Sequence, residues 1–171
     1  QLKRAPKDVR QQVRDIPGIS AVETRVVFGA TIQVADMVEP ASGKIISLPD
    51  GRKPLLNNLY LRAGRMLQPD ERDAILATEA FVNAHGFMLG DRVHMIINGH
   101  RRALKIVGVV LSPEYVYSLG PGAIFPDDKR FGVFWMGERA LEAAVDMRGA
   151  FNDLSVRIDR RANIEDIKQA L

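Results

Sequence analysis

Asn98-Gly99 lies between two strand-like runs, 92–97 and about 101–111. An Asn-Gly pair suits a two-residue turn whose central residues both take positive φ, and the twist of that turn matches the twist of paired strands. No short-range hairpin signal is stronger, so the two runs are expected to pair antiparallel. A second pattern precedes it. From Val22 to Val34 the even positions are apolar apart from Thr24, and the odd ones carry Glu23, Arg25, Thr31 and Gln33. Period-two alternation of this kind predicts one long half-buried strand. Shorter strands are expected at Leu59–Leu61, Ala74–Ala77, 131–136 and through Leu154, Val156 and Ile158.

Helices show a different spacing. Val9, Val13 and Ile16 fall at i, i+4 and i+7, which predicts a helix over 6–16 with Pro6 in its first turn and Pro17-Gly18 as its stop. Thr78 can cap a helix over 79–85 that Gly86 ends. A third helix is expected over 138–146 with Leu141, Ala144 and Val145 inward. A last one follows Asn163, with Ile164, Ile167 and Leu171 on one face. Residues 36–57 and 112–130 are punctuated by Pro and Gly and read as loops with short extended pieces.

The chain thus opens helix–strand and closes strand–helix around a β-rich middle, which predicts an α+β class with both termini on one side. Its 171 residues suit one domain. With 46% hydrophobic and 26% charged residues, disorder, collagen and coiled coil are excluded. The absence of Cys removes disulfides, thiolate metal sites and a Cys nucleophile. No apolar run reaches the 18 or so residues of a membrane span, and no signal peptide is visible. Because the first residue is Gln1 rather than Met, the chain is expected to be a piece of a longer one.

Charge and motifs point away from several activities. The net charge of +3 is too small to announce a nucleic-acid binder. Lys3, Arg4, Lys7, Arg10 and Arg14 stand against Asp8 alone. Arg101, Arg102 and Lys105 form a second basic cluster, and Arg160 with Arg161 a third. Only 6% of residues are aromatic, too few for a base-stacking ladder. The glycines form neither GxGxxG nor a P-loop. His85, His94 and His100 have no zinc spacing, and no serine elbow is present. Asp127-Asp128 is the most tempting carboxylate pair, but adjacent carboxylates before Lys129-Arg130 read as a cap with solvated charges, and a calcium-loop pattern is missing. What stands out is a set of Pro/Gly and aromatic segments: Ser112–Tyr117, Pro121-Gly122, Pro126–Asp128, Phe131–Met136 and Gly149–Asp153. Loops of this kind bind partners. The same rings could equally close a loop over the core edge with their polar ends in water.

The order of segments resembles a known family. Arg14-Asp15-Ile16-Pro17-Gly18-Ile19 leading to Val22-Glu23-Thr24-Arg25 is similar to the start of the extracytoplasmic domain of FtsX-like, MacB-type ABC transporter permeases. Leu59–Arg65, Glu71–Ala77, Gly86 through Gly90-Asp91, and Leu104–Val109 resemble that family's later motifs in the same order. Ser112–Tyr117, Asp127–Trp135 and Gly149–Asp153 resemble a subgroup of its permeases. Each motif is common by itself; order and spacing carry the likeness, which spans nearly the whole chain.

The resemblance implies a single domain over 1–171 in two lobes. One is a β/α lobe from the chain ends, about 1–35 and 150–171, and the other a β-rich lobe over about 36–149 inserted between them. It implies a non-catalytic domain between transmembrane helices 1 and 2, on the periplasmic side of the inner membrane. Such a domain transmits conformational change and contacts substrate or partner proteins in efflux or lipoprotein export. It needs no cofactor of its own, since a separate cytoplasmic ATPase uses the ATP. The partners implied are that ATPase, a second permease copy, and a periplasmic adaptor or lipoprotein, with no nucleic acid. Glu114, Tyr115, Tyr117, Asp127, Asp128 and Trp135 are the candidate contacts. The basic opening segment runs against the preference of positive residues for the cytoplasmic side, though it could meet anionic head groups at about 1 kcal/mol per basic residue. Two other classes stand beside this one: a small hydrolase using Asp127 or Asp128 with a His, and a β-rich nucleic-acid module using Arg101, Arg102 and Lys105.

Overall fold

In the computed structural model the described residues are 3–35, 37–116, 120 and 125–170; Tyr117, Pro121-Gly122 and Leu171 lie outside them. Along the chain the elements are β1 (Ala5–Pro6), α1 (Val9–Arg14), β2 (Ile19–Arg25), β3 (Val27–Gln33), β4 (Ala41–Leu48), β5 (Tyr60–Gly64), β6 (Ala74–Thr78), α2 (Glu79–His85), β7 (Arg92–Ile97), β8 (His100–Leu111), β9 (Phe131–Gly137), α3 (Glu138–Ala144), β10 (Ala150–Phe151), β11 (Asp153–Ile158) and α4 (Ile164–Ala170). The Asn98-Gly99 turn forms as its residues require, with φ of 49° and 78°, and it joins β7 to β8 antiparallel. Gly86 ends α2 in the left-handed conformation. Thr78 sits at the start of that helix, but its side chain makes no capping bond. The Asn163 carboxamide does cap α4, accepting the Glu165 N–H at 3.1 Å.

The expected α+β, two-lobed arrangement is not what the chain adopts. Strand accounts for 42% of the described residues and helix for 17%, and six strands close into a barrel-like sheet. The ring runs β8–β6–β9–β4–β3–β7 and returns to β8. Two of its contacts, β4–β9 and β6–β8, are parallel, and the others are antiparallel. Closure follows from β7, which pairs with β8 through the hairpin and with β3 on its other edge. Closure gives each of these six strands a partner on both sides. The four helices are only six or seven residues long. Helices this short do not make a layer. Instead α2 and α3 set Phe81, Val82 and Leu141 against the core of the barrel.

That core draws on alternate residues of all six strands, among them Ile32, Ile45, Ile75, Met95, Leu104 and Phe134. The opposite faces of β4, β6, β8 and β9 form a second cluster around Ile46, Leu76, Val110 and Trp135, covered by Leu59, Leu61, Leu67 and Tyr115. Burial on both faces explains why β6 and β9 read as continuous apolar runs rather than alternating ones. β5 pairs with the far end of β8. The chain ends form a smaller unit, in which β2 pairs with β11, β1 pairs with β10, and Val13, Ile19, Val22 and Ile167 share a third cluster.

Two local expectations also change. The strand foreseen over 22–34 is broken at Val26, and its halves join different sheets. At the break Val26 exchanges bonds with Ser47, donating to its hydroxyl at 2.9 Å and accepting from its N–H at 2.8 Å. The Asn152 carboxamide bonds both the N–H and the carbonyl of Val27 at 2.8 Å. And β4, an eight-residue strand inside the stretch read as loop, is a central member of the barrel. Pro40, Ser42, Gly43, Lys44 and Ser47 mask its pattern. Gly43 has a physical reason to be there, since a Cβ at that position would lie 2.7 Å from Ile32 Cδ1 inside the barrel.

Candidate functional site

Glu23 and Arg25 alternate with apolar residues on β2. Both are buried where the β2–β11 ribbon meets the barrel. Arg25 is the centre of an ion-pair cluster. Its Nη1 and Nη2 donate to the two Glu114 oxygens at 2.6 and 2.9 Å, and its Nε donates to Asp153 at 2.8 Å. Asn57 Nδ2 donates to Glu114 at 2.9 Å. Glu23 accepts Arg52 Nη2 at 2.6 Å and the Leu55 N–H at 2.5 Å. Two neighbouring side chains of one strand therefore grip two different segments, 52–57 and 112–116, and tie both to the ribbon.

The electrostatics follow the geometry. Burial disfavours charge on Arg25, but Glu114 and Asp153 outweigh it and hold the guanidinium firmly protonated. The Arg25 bonds pull the Glu114 carboxyl below its ordinary value. A bidentate Arg–carboxylate pair of this kind is directional as well as strong. It fixes the angle of the 112–116 segment and not merely its distance.

Tyr115 packs beside the cluster. Its ring meets Trp135 edge-on at 6.2 Å, and Lys44 Nζ lies 5.2 Å over its face. Burial, helped by the Glu114 charge, pushes its hydroxyl up to about 12. Trp135 is 2% exposed and belongs to the outer core cluster. The candidate contacts Glu114, Tyr115 and Trp135 thus come together. In this conformation Glu114 bonds Arg25 and Trp135 packs inside.

Asp127 and Asp128 lie elsewhere, on a cleft of about 710 Å³ that includes Met37, Glu39 and Phe125. Asp127 Oδ1 accepts the N–H groups of Lys129 and Arg130 at 3.1 and 3.2 Å, which is the turn cap that adjacent polar residues favour. His85 Nε2 donates to the Lys129 carbonyl at 2.9 Å and its ring leans on Phe81. That geometry orients no His–Asp pair. Among the described residues no three His, Asp or Glu side chains gather as a metal site. The basic cluster on β8 does not form one surface, because Arg102 points to the opposite face of the strand from Arg101 and Lys105.

Sequence reading missed Arg25, Glu23, Arg52 and Asn57 as a connected set. The one available signal was Asn152-Asp153, singled out within an unusual segment. Nothing local says that Arg25 faces Asp153 across a strand pair 128 residues away.

No protein-family model matches the chain, and no curated protein is similar to it in sequence. Solved structures do match. The extracellular domain of the ABC-type transporter YknZ from Gram-positive bacteria aligns with a TM-score of 0.59 at 13% identity, covering 98% of this chain and 78% of that one. The periplasmic region of MacB from Actinobacillus actinomycetemcomitans aligns at 0.55 and 15% identity, covering 99% and 71%. A domain of a protein described as a permease from Porphyromonas gingivalis aligns at 0.55 and 17%, covering 99% and 69%. In fold, then, this chain is of a kind with the extracytoplasmic domains of YknZ- and MacB-type transporter permeases.

Proposed function

We propose that the chain is a non-catalytic extracytoplasmic domain of an ABC transporter permease, set between its first two membrane helices. The observation that carries this reading is the shared fold over 98–99% of the chain with domains of such transporters. In this reading a cytoplasmic ATPase drives a dimeric permease, and the domain passes the resulting movement to a substrate or a partner such as an adaptor or lipoprotein. No reactive group is required. What is required is a defined path from the chain ends to the outer loops. The Arg25–Glu114–Asp153 cluster supplies one, since it joins the terminal ribbon to the 112–116 segment. Coupling of this sort works through elements with discrete arrangements rather than gradual bending.

The test uses the intact protein in its own membrane. These 171 residues hold no Cys, so, with any Cys elsewhere in the intact protein changed to Ser, Met88, an exposed position, can be changed to Cys as a reporter. With the cytoplasmic membrane sealed, a membrane-impermeant maleimide is expected to label Met88→Cys fully. Labelling only after lysis would place the domain inside and overturn the reading.

A further inference from the structure

Three arginines without full counter-charges face one small cleft beside α3, of about 300 Å³. Its carboxylates are already engaged. Asp50 accepts the Arg139 backbone N–H at 3.0 Å, and Asp70 holds the Arg139 guanidinium at 3.2 Å. Glu71 turns to Arg65, with bonds at 2.5 and 2.9 Å. The guanidiniums are less well served. Among the described residues Arg102 reaches only Asp73, at 3.9 Å, too long for a hydrogen bond. Its Nη1 is shut from solvent with no acceptor. Arg72 and Arg148 have no carboxylate within ion-pair distance among the described residues. Ala140 and Ala143 line the α3 wall, and Arg139, the long side chain that α3 also brings to the cleft, is held by Asp70.

We infer that this cleft binds a phosphate-bearing anion, held by Arg72, Arg102 and Arg148. The guanidinium fork matches two oxygens of a phosphate, and charge-assisted bonds of this type are the strong ones. Arg102 lines the cleft with its Nη1 unpartnered, a donor that such an oxygen would satisfy. The volume lies at the lower end for ligand pockets, suiting a phosphate with a short attached group rather than a nucleotide. The inference does not depend on the transporter reading. Two sources share this chemistry: a free phosphate compound and the head group of an acidic lipid.

The experiment titrates the ¹⁵N-labelled chain with inorganic phosphate at constant ionic strength and follows the arginine Nε–H signals. Saturable shifts are expected at Arg72, Arg102 and Arg148. The variant Arg72→Gln/Arg102→Gln/Arg148→Gln, folded by circular dichroism, is expected to lose about tenfold or more in affinity. Asp70→Asn frees Arg139 and is expected to tighten binding. A parallel arm uses vesicles of phosphatidylcholine with and without phosphatidic acid. Binding only to the acidic vesicles, competed by free phosphate and lost in the triple variant, assigns the site to a head group. Phosphate binding without vesicle binding assigns it to a soluble ligand. No saturation up to about 100 mM phosphate, a Kd about a hundredfold weaker than millimolar, or undiminished binding by the triple variant, overturns the proposal.

Discussion

Gly132→Ala tests whether the barrel interior is as tightly closed as the structure makes it. Ordinarily Ala for Gly in a strand is stabilising by about 0.5–1 kcal/mol, because Gly loses more freedom on folding. Here the added Cβ would lie 2.7 Å from Phe134 Cε2 and Cζ and 2.7 Å from Phe81 Cδ2. Carbon atoms prefer about 3.5–4.0 Å, so each ring must retreat by roughly an ångström. Both rings are fully buried and already pack edge-on with centroids 5.0 Å apart. They have nowhere to go. Overpacking typically costs about 1–3 kcal/mol, which exceeds the entropic gain and decides the sign. A net loss of about 1–2 kcal/mol lowers the midpoint of a chain this size by about 2–8 °C. The assay is thermal and urea unfolding followed by far-UV circular dichroism, run as a cycle with Phe134→Leu. Phe134→Leu alone is expected to cost about 1–2 kcal/mol. With the ring gone, part of the Gly132→Ala penalty disappears, giving a coupling of about 1 kcal/mol. A rise in midpoint for Gly132→Ala alone, or penalties that simply add, would refute the packing argument.

Other outcomes follow from the same residues. Arg25 holds Glu114 below its ordinary value of 4.5, so the stability from that pair is present above that pH and is lost as pH falls through the lower folded value; Glu114→Gln should flatten this acid limb and cost about 1–3 kcal/mol at neutral pH, as read by urea midpoints across pH. Tyr115 behaves oppositely. Its folded value near 12 stands above the ordinary 10.0, so stability should fall as pH rises through that interval, and Tyr115→Phe should remove the effect. Asn152→Ala removes both bonds to the Val27 backbone and should cost about 2 kcal/mol in chemical unfolding. Gly99→Ala meets no neighbour, yet φ is 78° there, so a loss of about 1 kcal/mol from backbone strain alone is expected.

How far the chain can be read without its structure depends on the distance over which each signal acts. The β7–β8 hairpin, the stop of α2 at Gly86, the apolar strand read over 74–77 and the cap at Asn163 were all legible, because each rests on residues within a few positions of one another. β4 was not. Its Gly43 reads as a loop residue until Ile32 and Phe134 are seen against it. Nor was the break at Val26, where the alternation continues unbroken while the backbone passes from one sheet to another. For the candidate contacts, the sequence drew attention to Glu114, Tyr115 and Trp135 through their unusual loops, yet the groups that hold Glu114 came from 89 and 57 residues away. The residues by themselves thus determined the elements whose signals are local, the β7–β8 hairpin, the end of α2 and the start of α4 among them, since φ/ψ preferences and periodicity act over a few positions. Barrel closure and the burial of Glu23 and Arg25 were decided only in three dimensions, because which edges pair and which charges meet depends on chain segments that no local pattern connects.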